Sequence, residues 1–145
     1  MRLHSPILVA IFALAFCSGD PGAAETWTCR LKESTQSGFV AETVTLVRLG
    51  DAAAVKIKDA VIEEYREGWL RGSIDVENAR RITFTWRLTG VSNPPTERGS
   101  GITNLHYSLT VQKKDNVARV LIQSFPNGTF WKPTFTGQGQ CSVVE

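Results

Sequence analysis

Residues Arg81 to Leu88 read RITFTWRL, and this octet decides the fold. Ile82, Phe84, Trp86 and Leu88 alternate with Arg81, Thr83, Thr85 and Arg87, so one face is apolar and aromatic and the other is Thr/Arg. A period of two belongs to a half-buried strand, and β-branched residues suit its pleat. The pattern recurs on either side. Trp27, Cys29 and Leu31 alternate with Thr28, Arg30 and Lys32, and Val55 and Ile57 with Lys56 and Lys58.

Further along, Asp115-Asn116 offers a two-residue turn between Lys114 and Val117. That turn pairs Val111 with Val120, Leu109 with Ile122 and Tyr107 with Ser124 on one face. Gln112 then meets Arg119, Ser108 meets Gln123 and His106 meets Phe125 on the other. A slip of one residue would mix the faces, so the pattern selects this register. Pro126-Asn127-Gly128 forms a second turn leading into Thr129 to Phe135, and a final strand runs from Gly139 to Val144. Gly99-Ser100-Gly101 and Gly137-Gln138-Gly139 read as turns, because neither lies between a strand and a helix as a phosphate loop requires.

Asp59 to Glu67 is the ambiguous stretch. Asp59 suits a helix N-cap ahead of Val61, Ile62 and Tyr65, while a strand leading to a hairpin at Glu67-Gly68 fits slightly better. The fold class expected is all-β. Its architecture is a small antiparallel up-and-down β-barrel of about eight strands with at most one short helix, the alternative being a β-sandwich.

Upstream of these strands, MRLHSPILVAIFALAFC reads as a secretory signal. Arg2 gives the positive start, and Ile7 to Phe16 is an apolar run of ten residues. A spanning helix needs roughly 20. Gly22-Ala23-Ala24 offers a cleavage site, making residues 1–24 the leader and 25–145 a single barrel domain. The expected location is periplasmic or secreted, in a bacterium. A second reading lipidates Cys17, although Phe16 departs from the small residue that a lipoprotein signal wants at that place.

Cleavage turns three cysteines into two, Cys29 and Cys141, and an oxidising compartment favours one disulfide between them. Such a bridge ties first strand to last, which are neighbours in a meander barrel. Charge excludes less. The chain carries 16 Lys+Arg against 14 Asp+Glu, a formal net charge of +2 with the signs interspersed. No basic run tracks a phosphate backbone, so nucleic acid is not an expected partner.

Chemistry is sparse. His106 is the only histidine beyond the leader, with Ser108 on its face and no carboxylate beside it in sequence. One histidine and two bridged cysteines cannot build a zinc site, and Glu63, Glu64 and Glu67 lack a calcium-loop pattern. No cofactor is implied. The sequon Asn127-Gly128-Thr129 reads simply as a turn.

The feature that points to binding is aromatic. Phe125, Phe130, Trp131 and Phe135 crowd around a turn, and adjacent strand residues point to opposite faces, so Phe130 and Trp131 cannot share one core. Trp69, between Gly68 and Gly72, raises the same question. The loop Asn93 to Thr103 either covers these rings or joins them.

The frame of an aromatic-x-Cys near the mature start and a Gly-x-Cys near the end resembles that of the periplasmic lysozyme inhibitors, which are also small disulfide-bearing barrels. Their Ser-Gly-x-x-Tyr loop is absent here, so no residue role carries over. The expectation is a non-enzymatic exported barrel binding a small apolar ligand or a partner protein through Phe125, Phe130, Trp131, Phe135 and Trp69. The alternatives are an envelope hydrolase using His106 and a structural envelope protein without a specific site.

Overall fold

The computed structural model describes residues 24–50, 52–92, 101–126 and 132–145. Eight antiparallel strands close into a barrel in sequence order: β1 (Glu25–Glu33), β2 (Thr43–Arg48), β3 (Ala54–Asp59), β4 (Leu70–Glu77), β5 (Arg81–Ser92), β6 (Ile102–Gln112), β7 (Val117–Pro126) and β8 (Thr134–Val144). One helix, α1 (Ala60–Tyr65), lies between β3 and β4. Closure leaves no unpaired sheet edge. The up-and-down barrel expected from the alternation is the fold, and the sandwich is not.

The octet that announced the fold lies in β5 with Ile82, Phe84, Trp86 and Leu88 buried. Register carries that face around the barrel: Phe84 meets Leu109, and Leu109 meets Val120. Trp27 on β1 and Phe84 on β5 touch edge to face across the interior, with centroids 5.6 Å apart. Strands half a barrel apart thus meet through their rings. Trp86 stacks on Tyr107 at 4.8 Å, and the Tyr107 hydroxyl donates to the Phe39 carbonyl at 3.0 Å. Burial pushes the Tyr107 phenol far above its ordinary pKa, and the nearby Asp59 carboxyl adds to that shift.

The barrel has two unlike rims. The lower one carries connections 78–80 and 113–116, and the upper carries 34–42 and 60–69. Phe39 and Ala41 of the first upper connection are buried, and Phe39 packs on Phe135 at 5.4 Å. The Glu33 carboxylate organises that connection by accepting from the Ser37 backbone and hydroxyl, from Gly38 N–H at 3.0 Å and from the Thr35 hydroxyl at 3.2 Å. Beside it, α1 buries Val61 and Ile62 over the upper end.

Three details differ from the sequence reading. Asp59 to Glu67 does not continue as a strand. Ala60–Tyr65 is the helix α1, and its turn places the consecutive residues Val61 and Ile62 both in the buried interior. Asp59 Oδ1 caps that turn by accepting from Ile62 N–H at 2.7 Å. The β6–β7 hairpin pairs Val111 with Ala118, Leu109 with Val120 and Tyr107 with Ile122, two residues away from the expected register. A two-residue slip leaves every side chain on its own face, so alternation could not exclude it. The chain turns over Lys113 to Asn116 instead, with Asn116 at φ 57° and its N–H donating to the Gln112 carbonyl at 2.8 Å.

Gly137 and Gly139 sit inside β8, which runs unbroken from Thr134, rather than in a turn before a strand starting at Gly139. A side chain on Gly139 would place its first carbon 1.8 Å from the Arg30 carbonyl oxygen, so only glycine lets β8 lie this close to β1. Finally, the expected strand from Thr129 lies outside the described residues as far as residue 131.

Cys29 and Cys141 are direct cross-strand partners and form the disulfide, with Cα atoms 3.9 Å apart across the β1–β8 seam. The bond staples the place where a meander must close on itself.

Candidate functional site

Outward positions on the strands are mostly Thr, Ser, Lys, Arg, Glu and Gln, as Thr28, Arg30 and Lys32 on β1 and Lys56 and Lys58 on β3 show. This is the reverse of a lipid-facing wall, which carries an outward apolar band. Among the described residues no helix is long and apolar enough to cross a membrane. Against this polar background two places stand out.

The first is an apolar groove of about 380 Å³ on the outer wall of β2–β4, lined by Val47, Leu49, Ala52, Ala54, Lys56, Trp69 and Arg71. Trp69 is 47% exposed and Leu49 56%. Positive φ at Gly68 (77°) lets the chain leave α1 and enter β4 with the indole facing out. Lys58 Nζ stands 5.9 Å from the indole centroid while pairing with Glu63 at 3.0 Å, so the ring is flanked on one side and open on the other.

The second is a polar groove of about 620 Å³ across β4–β7, where Arg71, Ser73, Asp75, Thr85, Arg87, His106, Ser108 and Gln123 converge. Phe125 lies along its upper margin. Its ring is 4.3 Å from the His106 ring, and Lys132 Nζ sits 5.1 Å from its centroid on the neighbouring connection. His106 has Arg87 and Gln123 as cross-strand partners. Partial burial and then the Arg87 charge hold its imidazole below the ordinary histidine pKa, so it is neutral at pH 7. Its two cross-strand partners, a guanidinium and a carboxamide, do not themselves supply an acid to orient it as a general base. Among the described residues, no three of His, Cys, Asp and Glu cluster as metal ligands.

The residues singled out by sequence therefore separate. Trp69 is a surface ring in an apolar groove. Phe135 is part of the interior packing against Phe39. Phe125 belongs to the outer wall beside His106. Phe130 and Trp131 lie outside the described residues, as do 93–100 of the long loop. Leu49 and Val47, which complete the Trp69 groove, carried no signal of their own, since a lone apolar residue at a strand end is ordinary.

Comparison with protein-family models, with curated proteins and with solved structures found no match to this chain.

Proposed function

We propose that this chain is an exported, non-enzymatic barrel that binds a partner protein through the outer wall around Trp69. The observation that carries this reading is that two exposed large hydrophobics, Trp69 and Leu49, line one apolar groove on the outer wall, while Ile102, Leu121 and Val144 are exposed outside it. Exposed aromatic rings rimmed by polar groups are typical anchors of protein interfaces. The filled interior supports the protein arm of the expectation over the small apolar ligand, because Trp27 and Phe84 already meet across the lumen. Lys56 and Arg71 at the groove's edge suit a partner that places an apolar side chain beside Trp69 and acidic groups around it. The cross-seam disulfide and the leader-like N-terminus support an extracytoplasmic location.

The test is a photo-crosslinking residue at position 69 in the native host, with one at Lys114 on the opposite rim as control. A single protein adduct at position 69 that Leu49→Asp abolishes is the expected result. Adducts that are the same at both positions, or none at 69, would overturn the reading. Trp69→Ala in the free protein should change stability by less than about 0.5 kcal/mol, as for surface substitutions generally.

A further inference from the structure

The polar groove on β4–β7 holds a charge arrangement that stability alone does not explain. Lys56 on β3 and Arg71 on β4 are direct cross-strand partners. Continuing the register Ser73↔Thr85 by two residues sets Arg71 beside Arg87 on β5, and Arg87 in turn faces His106 on β6. Adjacent strands are about 4.8 Å apart, so three cations and an imidazole form one row across four strands. Like charges directly opposite each other destabilise a sheet. Among the described residues, ion pairs engage Arg48, Lys58 and Lys113, and neither Arg71 nor Arg87 takes part in any.

The next row down consists of hydroxyls. Ser73 pairs with Thr85, and Thr85 with Ser108. Ser73 Oγ and Thr85 Oγ1 lie 3.1 Å apart, sharing one proton between them and leaving another to donate. Among the described residues Asp75 is the single carboxylate lining the groove, two residues further down β4 at the bulge between Ile74 and Val76. Two guanidinium forks over a row of hydroxyl donors match an oxyanion with oxygens on several sides. Arginine is the side chain best shaped for such bidentate contact.

We propose that the groove between Arg71 and Arg87 binds a phosphate group, with Ser73, Thr85 and Ser108 donating to its remaining oxygens. The site is separate from the Trp69 groove, because Arg87 and the hydroxyl row do not line that groove and Arg71 forms the wall between the two. The shared chemistry is phosphate, whether free or carried on a lipid headgroup.

The experiment uses the oxidised mature protein, titrated with inorganic pyrophosphate and followed by amide NMR shifts and calorimetry. Parallel flotation uses vesicles of phosphatidate and of phosphatidylcholine. Saturable shifts on β4–β6 that Arg87→Gln weakens by roughly tenfold or more, with Lys114→Gln matching the parent, would support the proposal. Pyrophosphate binding places the site among receptors for soluble phosphate. Arg87-dependent flotation with phosphatidate alone assigns it to headgroups. Equal shifts with acetate, or pyrophosphate shifts that survive Arg87→Gln, would overturn it. Because Arg87 is exposed, its variant should fold with a melting temperature at or above the parent's, and a clear fall would count against a ligand-built row.

Discussion

The lower rim and the β3–β6 wall use the same kinds of cation in opposite ways. At the lower rim, Arg48 closes β2 by donating to both Glu77 oxygens at 3.1 and 2.9 Å, with Glu25 Oε2 at 3.8 Å, and Lys113 reaches Glu77 at 3.5 Å. Four side chains from distant parts of the sequence neutralise one another where the termini and short turns meet. On the wall, Lys56 pairs with Arg71, and Arg71 and Arg87 line one groove with hydroxyls for company. The first arrangement lowers the energy of the fold. The second raises it and leaves a positive surface facing outward, as functional surfaces commonly do at some expense of stability.

The largest effect should come from the seam that brings the lower rim together. Replacing Cys29 and Cys141 by alanine removes a bridge over a sequence separation of 112 residues, for which the chain-entropy account gives roughly 4 to 5 kcal/mol, an upper figure for real bridges. Urea unfolding should show that loss. Hydrogen exchange should rise first on β1 and β8 while the wall, two or more strands from the seam on either side, keeps its protection. Uniform loss of protection would mean that the two regions are not energetically distinct.

At the upper rim two carboxylates, Asp59 and Glu33, serve the backbone rather than cations. Asp59→Ala should cost about 1 kcal/mol by uncapping α1. The pH dependences of Asp59 and Glu33 should oppose each other. Desolvation raises the Glu33 pKa, but hydrogen bonds from Ser37, Gly38 and Thr35 outweigh it and hold the carboxyl below its ordinary value. The folded state thus binds fewer protons than the unfolded one, and this stability is lost as pH falls through the carboxylate range. Asp59 is raised, chiefly by burial and despite the N–H groups of Ile62 and Val61. Its contribution is complete below the unfolded pKa and lost as pH rises through the folded one. Glu33→Gln should therefore flatten the fall of the urea midpoint between about pH 6 and 3. Asp59→Asn, which keeps a capping oxygen, should gain on the parent at pH 7 and lose that gain on acidification.

How much of this was legible in the sequence follows from what alternation can and cannot say. The apolar face of RITFTWRL was readable, since Ile82, Phe84, Trp86 and Leu88 are all buried, whereas the burial of Thr83 on the other face, beside Thr110, was not. The absolute β6–β7 register was not, since a shift of two preserves parity and the choice rests on Asn116 adopting a left-handed turn. The pairing of Cys29 with Cys141 was readable from their count once an oxidising compartment is expected. The glycines of β8 were misread because close approach of β1 is a tertiary fact. Of the candidate site, Trp69 and the Phe125–His106 neighbourhood were visible. The cation row was not, because Lys56, Arg71 and Arg87 are well apart in the chain and become neighbours only through strand pairing.

The finest test sets one charge of each region against the other. Glu77→Gln leaves Arg48 and Lys113 without their shared negative charge, and Arg48 is largely buried at that rim, with 14% of its side chain exposed. The loss should be about 0.5 to 1 kcal/mol in low salt, smaller in high salt as screening grows. Arg87→Gln should move stability the other way by a few tenths of a kcal/mol, since it removes a like-charge neighbour from Arg71 and keeps the stem and a polar end. It should also raise the His106 pKa, readable in the imidazole proton shifts, because the Arg87 charge is one of the two causes depressing it. A bound phosphate should act on His106 in the same direction, while salt alone should produce only a shallow drift. Opposite signs for Glu77→Gln and Arg87→Gln would establish that the barrel keeps its charge pairs where closure needs them and leaves its wall unpaired for a ligand. Equal signs would make the row an ordinary solvated face.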